Sequence, residues 1–318
     1  MTGLSWEITA PLLGLAWFAA INAIVSVVSL MLSRRFDDGV HASVWRARRL
    51  LAVRLAPAAL SITIALILFL PAHVWLEPVR PDERIGVVPM AVAAGALVLL
   101  LRSVWRTAAA IRMAYRLSAL RAGVRTRHAT MTLAEVPGLR GIALAGIFRP
   151  RILIGTGARE ILTPGELDLA IAHERAHHRA WDNLSRTVMQ CAPDFFGFSR
   201  EARRLEALWE AEAECLADAA AVAGSDARAT RLASALVKVA RLASDEDTWL
   251  AGWSTFHHPA LLEARVRLLV SDTPVRPARV YRGKTAAAFA VTIVAAAWTA
   301  GLPQQIHRLT ESLLALLP

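Results

Sequence analysis

Residues 171–178 read Ile-Ala-His-Glu-Arg-Ala-His-His, a His-Glu-x-x-His pattern inside a segment whose apolar residues recur at helical spacing. Positions four apart on a helix share a face, with Cβ atoms about 5–6 Å apart. His173 and His177 can therefore present two imidazoles to one Zn²⁺, one ion per chain. Glu174 overhangs the same place, where a carboxylate can serve as a general base toward water. This stretch predicts a metal-binding helix around which the rest of the chain is organised.

Two neighbouring features favour this interpretation over a charged surface helix that matches the pattern by chance. Thr163, Pro164 and Glu166 form the signature of a helix N-terminus, with a capping box and a proline in the first turn. The motif is flanked by alanine and leucine rather than by the charged residues of a solvated helix. A half-buried pair of histidines beside a glutamate needs a compensating partner, and a metal ion supplies one.

The composition indicates an integral membrane protein. Of 318 residues, 55% are hydrophobic and 19% charged, and the formal net charge is +10. The mean hydropathy of +0.42 is too high for an ordinary soluble protein. The basic excess is mostly arginine, which in a membrane protein indicates cytoplasmic loops and anionic lipid headgroups. Cys191 and Cys215 fall in the part placed in the cytoplasm and are expected to be reduced thiols.

Four apolar stretches are long enough to cross a bilayer, where about 20 residues suffice. The first three spans, within residues 1–105, are expected at about 8–32, 55–76 and 85–105, and the fourth at 285–302. Arginine-rich flanks mark the cytoplasmic side. The chain is thus expected to be a multi-pass protein of the plasma membrane with both termini extracytoplasmic. Residues 106–284 would form a cytoplasmic domain that carries the metal motif, and residues 303–318 a short extracytoplasmic tail.

The region before the metal motif carries two further patterns. Seven arginines between Arg102 and Arg127 predict a basic helix near the inner leaflet, and direct nucleic-acid binding is not expected because stacking aromatic residues are scarce. Residues 142–144, 146–148 and 151–154 predict short strands. The edge of such a sheet could bind an extended substrate as an added strand, or the sheet could have no substrate role.

A catalytic zinc takes three protein ligands, and the sequence offers several candidates for the third. His257 and His258 are adjacent, so at most one of them can serve. Acidic residues follow the motif on a later helical segment, at Glu210, Glu212 and Glu214. Glu214 and Asp218 are four apart on one face, so one can bind the metal while the other accepts a ring N–H from a ligand histidine.

These motifs resemble the BlaR/MecR-type membrane zinc metallopeptidases, and the resemblance covers most of the chain. It rests on His173-Glu174-x-x-His177, on Asp182, and on Glu214-x-x-Ala217-Asp218, placed between a third and a fourth span. It implies a gluzincin-like α+β domain with His173, His177 and Glu214 as metal ligands and Glu174 as general base. Asp218 and Asp182 would support the ligands.

A second resemblance concerns residues after the metal motif. His258-Pro259 followed by Arg265 is similar to a motif of the HtpX-type proteases, so His258 and Arg265 become candidates for oxyanion or substrate contacts. No penicillin-binding sensor domain follows Leu302, so direct covalent β-lactam sensing is not expected. The fold class expected is a mainly α integral membrane protein with four transmembrane helices and a cytoplasmic zinc peptidase domain containing a short β-sheet.

The resemblance implies a membrane-embedded zinc metalloendopeptidase in signal transduction. In the BlaR type, such enzymes cleave themselves and a cytoplasmic transcriptional repressor. Two alternatives remain from the sequence: an HtpX-type quality-control protease acting on membrane proteins, and a catalytically silent membrane scaffold. The expected partners are a cytoplasmic protein substrate and the lipid bilayer, and a homodimer is left open.

Overall fold

The fold is described from a computed structural model. It covers residues 6–76, 86–119, 125–128, 131–137, 139, 141–147, 150–242, 254–255, 261–271 and 298–316. Helices dominate these residues, and one small β-sheet lies next to the metal motif.

Three long apolar helical segments make this a membrane protein. Helix α1 spans Trp6–Ser33, and α2 spans Val44–Thr63 and continues through a π-helical turn, Ile64–Phe69, into α3, Leu70–Leu76. Helix α4 spans Val87–Ala119. Three helical segments, Ile8–Ser33, Val44–Leu76 and Val87–Arg116, are 26, 33 and 30 residues long, and each contains a stretch apolar enough to cross a bilayer. The first three predicted spans therefore correspond to observed helices.

The C-terminal part of the chain differs from a simple tail. Residues 272–297, which hold most of the predicted fourth span, lie outside the described residues. The last described helix, α11, spans Leu302–Leu316 and packs against α3. It is tied to α1 by a hydrogen bond of 2.9 Å that the indole Nε1 of Trp17 donates to Thr310 Oγ1.

The sheet has five strands in the order β1-β2-β4-β3-β5. Strands β2 and β4 are parallel, and β1–β2, β3–β4 and β3–β5 are antiparallel. The bounds are Arg125–His128 for β1, Met131–Val136 for β2, Ile142–Ala145 for β3, Arg151–Gly155 for β4 and Ser254–Thr255 for β5.

Two details correct the sequence expectations. The basic run does not form one helix, because α4 ends at Ala119 and Arg125–His128 is a strand. Residues 146 and 147 are not in a strand, because Gly146 has a φ of 102°, outside the β region, and ends β3 there. The end of β4 also requires glycine: a Cβ on Gly155 would lie 2.0 Å from the carbonyl oxygen of Leu139.

Six further helices complete the fold and bury the sheet. They are α5 (Thr156–Ile161), α6 (Pro164–Ala180), α7 (Asp182–Cys191), α8 (Arg200–Val222), α9 (Asp226–Leu242) and α10 (Leu262–Val270). Ile142 and Ile152 of the sheet share one core with Ala170 of α6 and Leu232 of α9. The metal motif on α6 therefore lies between the sheet on one side and α8 and α9 on the other.

A second core joins the membrane helices to the region that carries the His-Glu-x-x-His motif. Leu50 of α2 packs with Met189, Phe196 and Leu205, and all four side chains are buried. Beside this core, Arg54 of α2 is only 2% exposed and forms ion pairs with Asp194 at 3.0 Å and Glu206 at 2.6 Å. The α7–α8 connection is thus fixed to the membrane bundle.

Candidate metal centre

Helix α6 begins where the capping pattern predicts. Thr163 Oγ1 accepts a hydrogen bond from the backbone N–H of Glu166, and the Glu166 carboxylate accepts one from the N–H of Thr163 at 2.8 Å. The Glu166 carboxylate also binds Lys238 Nζ of α9 at 2.7 Å. This contact anchors the first turn of α6 to α9, and the helix then presents the histidines two and three turns later.

Three buried side chains converge on one point. The Nε2 atoms of His173 and His177 lie 3.0 Å apart, and each is 3.4 Å from a different carboxylate oxygen of Glu214 on α8. One donor atom from each residue falls within 4.8 Å of the other two. The structure therefore brings together the three residues predicted as ligands, from helices that are distant in sequence.

The donor set fits a zinc ion in distance. Zinc binds His nitrogen and carboxylate oxygen at about 2.0–2.2 Å, so tetrahedral donors are separated by roughly 3.3–3.6 Å. The observed separations of 3.0 and 3.4 Å lie near that range. Two imidazoles and one carboxylate are also a common donor set of catalytic zinc sites.

The other ring nitrogen of each histidine faces a carboxylate. His173 Nδ1 lies 2.9 Å from Asp218 Oδ1, and His177 Nδ1 lies 2.7 Å from Asp182 Oδ2. When each neutral ring donates its Nδ1–H to that carboxylate, both Nε2 atoms keep a lone pair that points toward the other ring and toward Glu214. Such a meeting of lone pairs is repulsive unless a proton or a metal ion lies among them, so the arrangement suits a bound cation.

The position of Asp182 depends on a sharp turn. Trp181 adopts a left-handed conformation with a φ of 61°, which ends α6 and starts α7 immediately afterwards. The chain thereby turns back so that Asp182, at the first position of α7, reaches His177. Asn183 secures the same turn, because its side chain donates to the carbonyl oxygens of Leu144 at 2.8 Å and Gly146 at 3.0 Å.

Arg265 of α10 binds both carboxylates of α8. Its guanidinium donates to Asp218 from Nε at 2.8 Å and from Nη2 at 2.7 Å, and its Nη1 lies 2.9 Å from Glu214 Oε2. The side chain is 1% exposed. These bonds orient the two acidic side chains toward the histidines. The substrate contact expected of Arg265 stays a prediction.

Glu174 differs from the other acidic residues of the centre. It is fully buried, and neither carboxylate oxygen has a hydrogen-bond partner among the described residues. This burial raises the pKa of Glu174 to about 7. A buried carboxylate without a partner is costly, and such a group in a reactive centre is suited to receiving and releasing a proton near neutral pH.

Neighbouring groups of opposite charge shift the pKa values of His177 and Glu214. Burial alone would lower the pKa of His177, but the carboxylates of Glu214 and Asp182 raise it to about 10. Burial would raise the pKa of Glu214, yet Arg265 and His177 hold it well below its usual value. The pocket therefore keeps Glu214 ionised and favours positive charge at the histidines, which a divalent cation also provides.

The other candidate ligands lie elsewhere. Glu210 pairs with Arg186 at 2.9 Å. Glu212, another candidate third ligand, is 1% exposed and accepts hydrogen bonds from the backbone N–H groups of His41 at 2.9 Å and Ser43 at 2.7 Å. It fixes the α1–α2 connection to α8, a role that its position in the sequence does not reveal. His257 and His258 lie outside the described residues.

Comparison with known proteins gives one family. No curated protein matches the chain. The family model of the BlaR1 peptidase M56 matches residues 84–269, which include α4, the sheet, the metal motif on α6 and the acidic residues of α8. This match spans more than half of the chain and contains every described residue of the centre. The chain therefore belongs to the BlaR1 peptidase M56 family.

Proposed function

We propose that this protein is a membrane-embedded zinc metalloendopeptidase that hydrolyses peptide bonds in a cytoplasmic protein. The substrate proposed is a transcriptional repressor, the protein itself, or both, in a signal-transduction pathway. The membership of the M56 peptidase family and the three apolar helices support a membrane metallopeptidase. The zinc, the cytoplasmic side and the substrate are parts of the proposal.

One observation carries the proposal more than any other. The donor atoms of His173, His177 and Glu214 converge, while the carboxylate of Glu174 lies beside them, buried and without a hydrogen-bond partner among the described residues. A purely structural cluster has no need for such a carboxylate, because burying it costs free energy. A hydrolytic centre uses it as a base.

Each side chain then has a definite role. His173, His177 and Glu214 would hold the ion, and Asp218 and Asp182 keep the two rings in the tautomer that leaves Nε2 available. Zinc would supply a Lewis acid that activates water and polarises the scissile carbonyl. Glu174 would take the proton of the attacking water and pass it to the leaving amine. Its pKa of about 7 suits both steps at neutral pH.

The edge of the sheet beside the metal helix is where an extended substrate would bind in this proposal. Strand β3 packs on α6 through the core that contains Ile142 and Leu144. At its outer edge, Ala143 and Leu144 pair antiparallel with Thr255 and Ser254 of the protein itself. An extended peptide that binds here as an added strand would therefore have to replace these two residues of β5.

The substitution Glu174→Gln tests the proposal. The variant keeps the three ligands, so we expect it to retain one zinc per chain. Loss of the base is expected to lower the cleavage rate by at least about 100-fold. Zinc content is measured by elemental mass spectrometry on the purified full-length protein. Cleavage is measured by mass spectrometry on a library of peptides from a cytoplasmic proteome.

Glu160→Gln is the matched control, because Glu160 is an exposed glutamate on α5. It is expected to leave both zinc content and cleavage unchanged. Cleavage by Glu174→Gln at the wild-type rate would exclude the role assigned to Glu174. A wild-type protein that holds no zinc and cuts no peptide would instead support a membrane scaffold.

A further inference from the structure

A cavity outside the metal centre lies between α2, α6 and α8. Its volume is about 370 Å³. None of the three metal-binding side chains lines it, but Asp182, which binds His177, does. The cavity therefore adjoins the metal helix. Residues of α7 line it as well, and α6, α7 and α8 all carry side chains that hold or support the centre. We call it the α2–α6–α8 cavity.

The lining of this cavity is amphipathic. Most of it is apolar, with Leu51, Trp209 and Leu216 among its larger side chains. Two cations, Arg48 and Arg179, also line it, and Arg179 is exposed. The single acidic residue of the lining is Asp182, whose Oδ2 is 2.7 Å from His177 Nδ1. An apolar chamber with two guanidinium groups is complementary to an apolar chain that ends in an anion.

The size of the cavity agrees with a medium-length alkyl chain. A volume of about 370 Å³ lies in the usual range for small-molecule sites. An alkyl chain of about twelve carbons is comparable in size to the ligands that sites of this volume hold.

The position of the cavity agrees with an amphiphile as well. Leu51 of the lining lies four residues before Leu55, where the apolar stretch of the second span begins. At a rise of about 1.5 Å per residue, the cavity begins roughly 6 Å from that stretch. The polar layer of a bilayer extends about this far beyond the hydrocarbon, so amphiphiles are abundant there.

We propose that the α2–α6–α8 cavity binds an anionic amphiphile, with an alkyl chain of about twelve carbons inside and a carboxylate or phosphate beside Arg48 and Arg179. Occupancy would fix α6 against α8 and hold Asp182 in contact with His177. The ligand would thereby act on the metal centre without touching the metal. This inference goes beyond the proposed peptidase activity, and its binding test does not depend on that activity.

Photolabelling tests the proposal directly. The full-length protein in phosphatidylcholine nanodiscs is irradiated with dodecanoate that carries a diazirine near the end of its chain, and labelled peptides are mapped by mass spectrometry. We expect label on α2, α6 and α8 at the cavity. Dodecanoate and dodecyl phosphate should compete for it at least about tenfold better than dodecanol does. Arg179→Ala should remove most of this preference for a charged competitor.

Two substitutions on α2 separate cavity binding from general lipid contact. Ala47→Phe fills the cavity and should reduce the label at least about tenfold, whereas Ala52→Phe, at an exposed position on the same helix, should not. Ala220→Phe fills the cavity from the exposed end of α8 and serves if Ala47→Phe does not fold. If both 12-carbon lysophosphatidylglycerol and dodecanoate reduce the label, a membrane lipid is one source of the ligand. If only dodecanoate reduces it, the ligand is a free fatty acid. Labelling that persists in both filled variants, or that is spread over the membrane helices, would overturn the proposal.

Discussion

At the scale of single residues, the centre depends on which nitrogen of each histidine carries a proton. Asp218 and Asp182 hold the Nδ1–H groups at 2.9 and 2.7 Å, and this leaves Nε2 of both rings to bind a cation. Hydrogen-bonded carboxylates of this kind also raise the basicity of a ligand. The two aspartates therefore contribute to metal affinity although neither is a ligand.

We expect Asp182→Asn to lower zinc affinity about 10–100-fold, because an amide is a weaker acceptor for the His177 N–H. Competition with a fluorescent zinc chelator measures the change. Asp168→Asn, at an exposed position of the same region of the chain, is the control and should bind zinc like the wild type. Equal affinities for all three proteins would show that Asp182 does not support the ligand.

Part of this centre was predictable from the sequence, and part was not. The spacing of His173 and His177, and that of Glu214 and Asp218, are local, so the pattern makes both pairs candidates. It leaves His257, His258, Glu210 and Glu212 open as third ligands, and the choice of Glu214 comes from the family resemblance. Arg265 binds Asp218 across 47 residues of the chain, and a local pattern carries no information on such a contact. The burial of Glu212 could not be predicted for the same reason, since its hydrogen-bond partners in the α1–α2 connection are 169 and 171 residues away in the sequence.

At the scale of secondary-structure elements, the start of α6 combines a cap with an ion pair. Thr163 and Glu166 predict the capping box from the sequence alone, but the ion pair between Lys238 and Glu166 depends on the packing of α9. Burial alone would raise the pKa of Glu166, yet Lys238, Ser234 and the Thr163 region lower it to about 2. The ionised carboxylate therefore stabilises the folded helix.

This pKa predicts a pH-dependent stability. Because the folded pKa lies below the unfolded one, the contribution of Glu166 is complete above about pH 5 and disappears as the pH falls through about 4 toward 2. Glu166→Gln should cost about 1–3 kcal/mol at pH 7. The thermal midpoints of the purified variant and the wild type should differ at pH 7, and the difference should shrink below about pH 4 and vanish near about pH 2. A difference independent of pH would mean that the charge of Glu166 does not stabilise the helix.

At the scale of the whole molecule, the membrane helices and the peptidase region share buried polar contacts. Arg54 on α2 binds Asp194 and Glu206 and donates to the carbonyl oxygen of Met189 at 2.8 Å. Asp194 is fully buried and lies 140 residues from Arg54 in sequence. The composition predicted the membrane helices, but nothing in the local pattern predicted that a span would enter the core beside α8.

We expect Arg54→Met to destabilise the protein by about 3–5 kcal/mol, because it leaves the buried Asp194 without its cation. The double variant Arg54→Met with Asp194→Asn should recover part of this loss, since the uncompensated charge is gone. Thermal unfolding followed by size-exclusion chromatography measures both. Arg34→Met, at an exposed arginine, is the control. A double variant no more stable than the single one would contradict the charge argument.

Two side chains inside the first membrane helix have a practical consequence for work with this protein. Asn22 binds the carbonyl oxygen of Pro193 at 3.0 Å and the N–H of Phe195 at 2.9 Å, while Ser26 accepts the N–H of Phe196 at 3.1 Å. A water-soluble fragment cut from the chain near residue 106 would lose these bonds together with Arg54. The part of the chain that carries the metal centre should therefore be produced and assayed together with the membrane helices that precede residue 106.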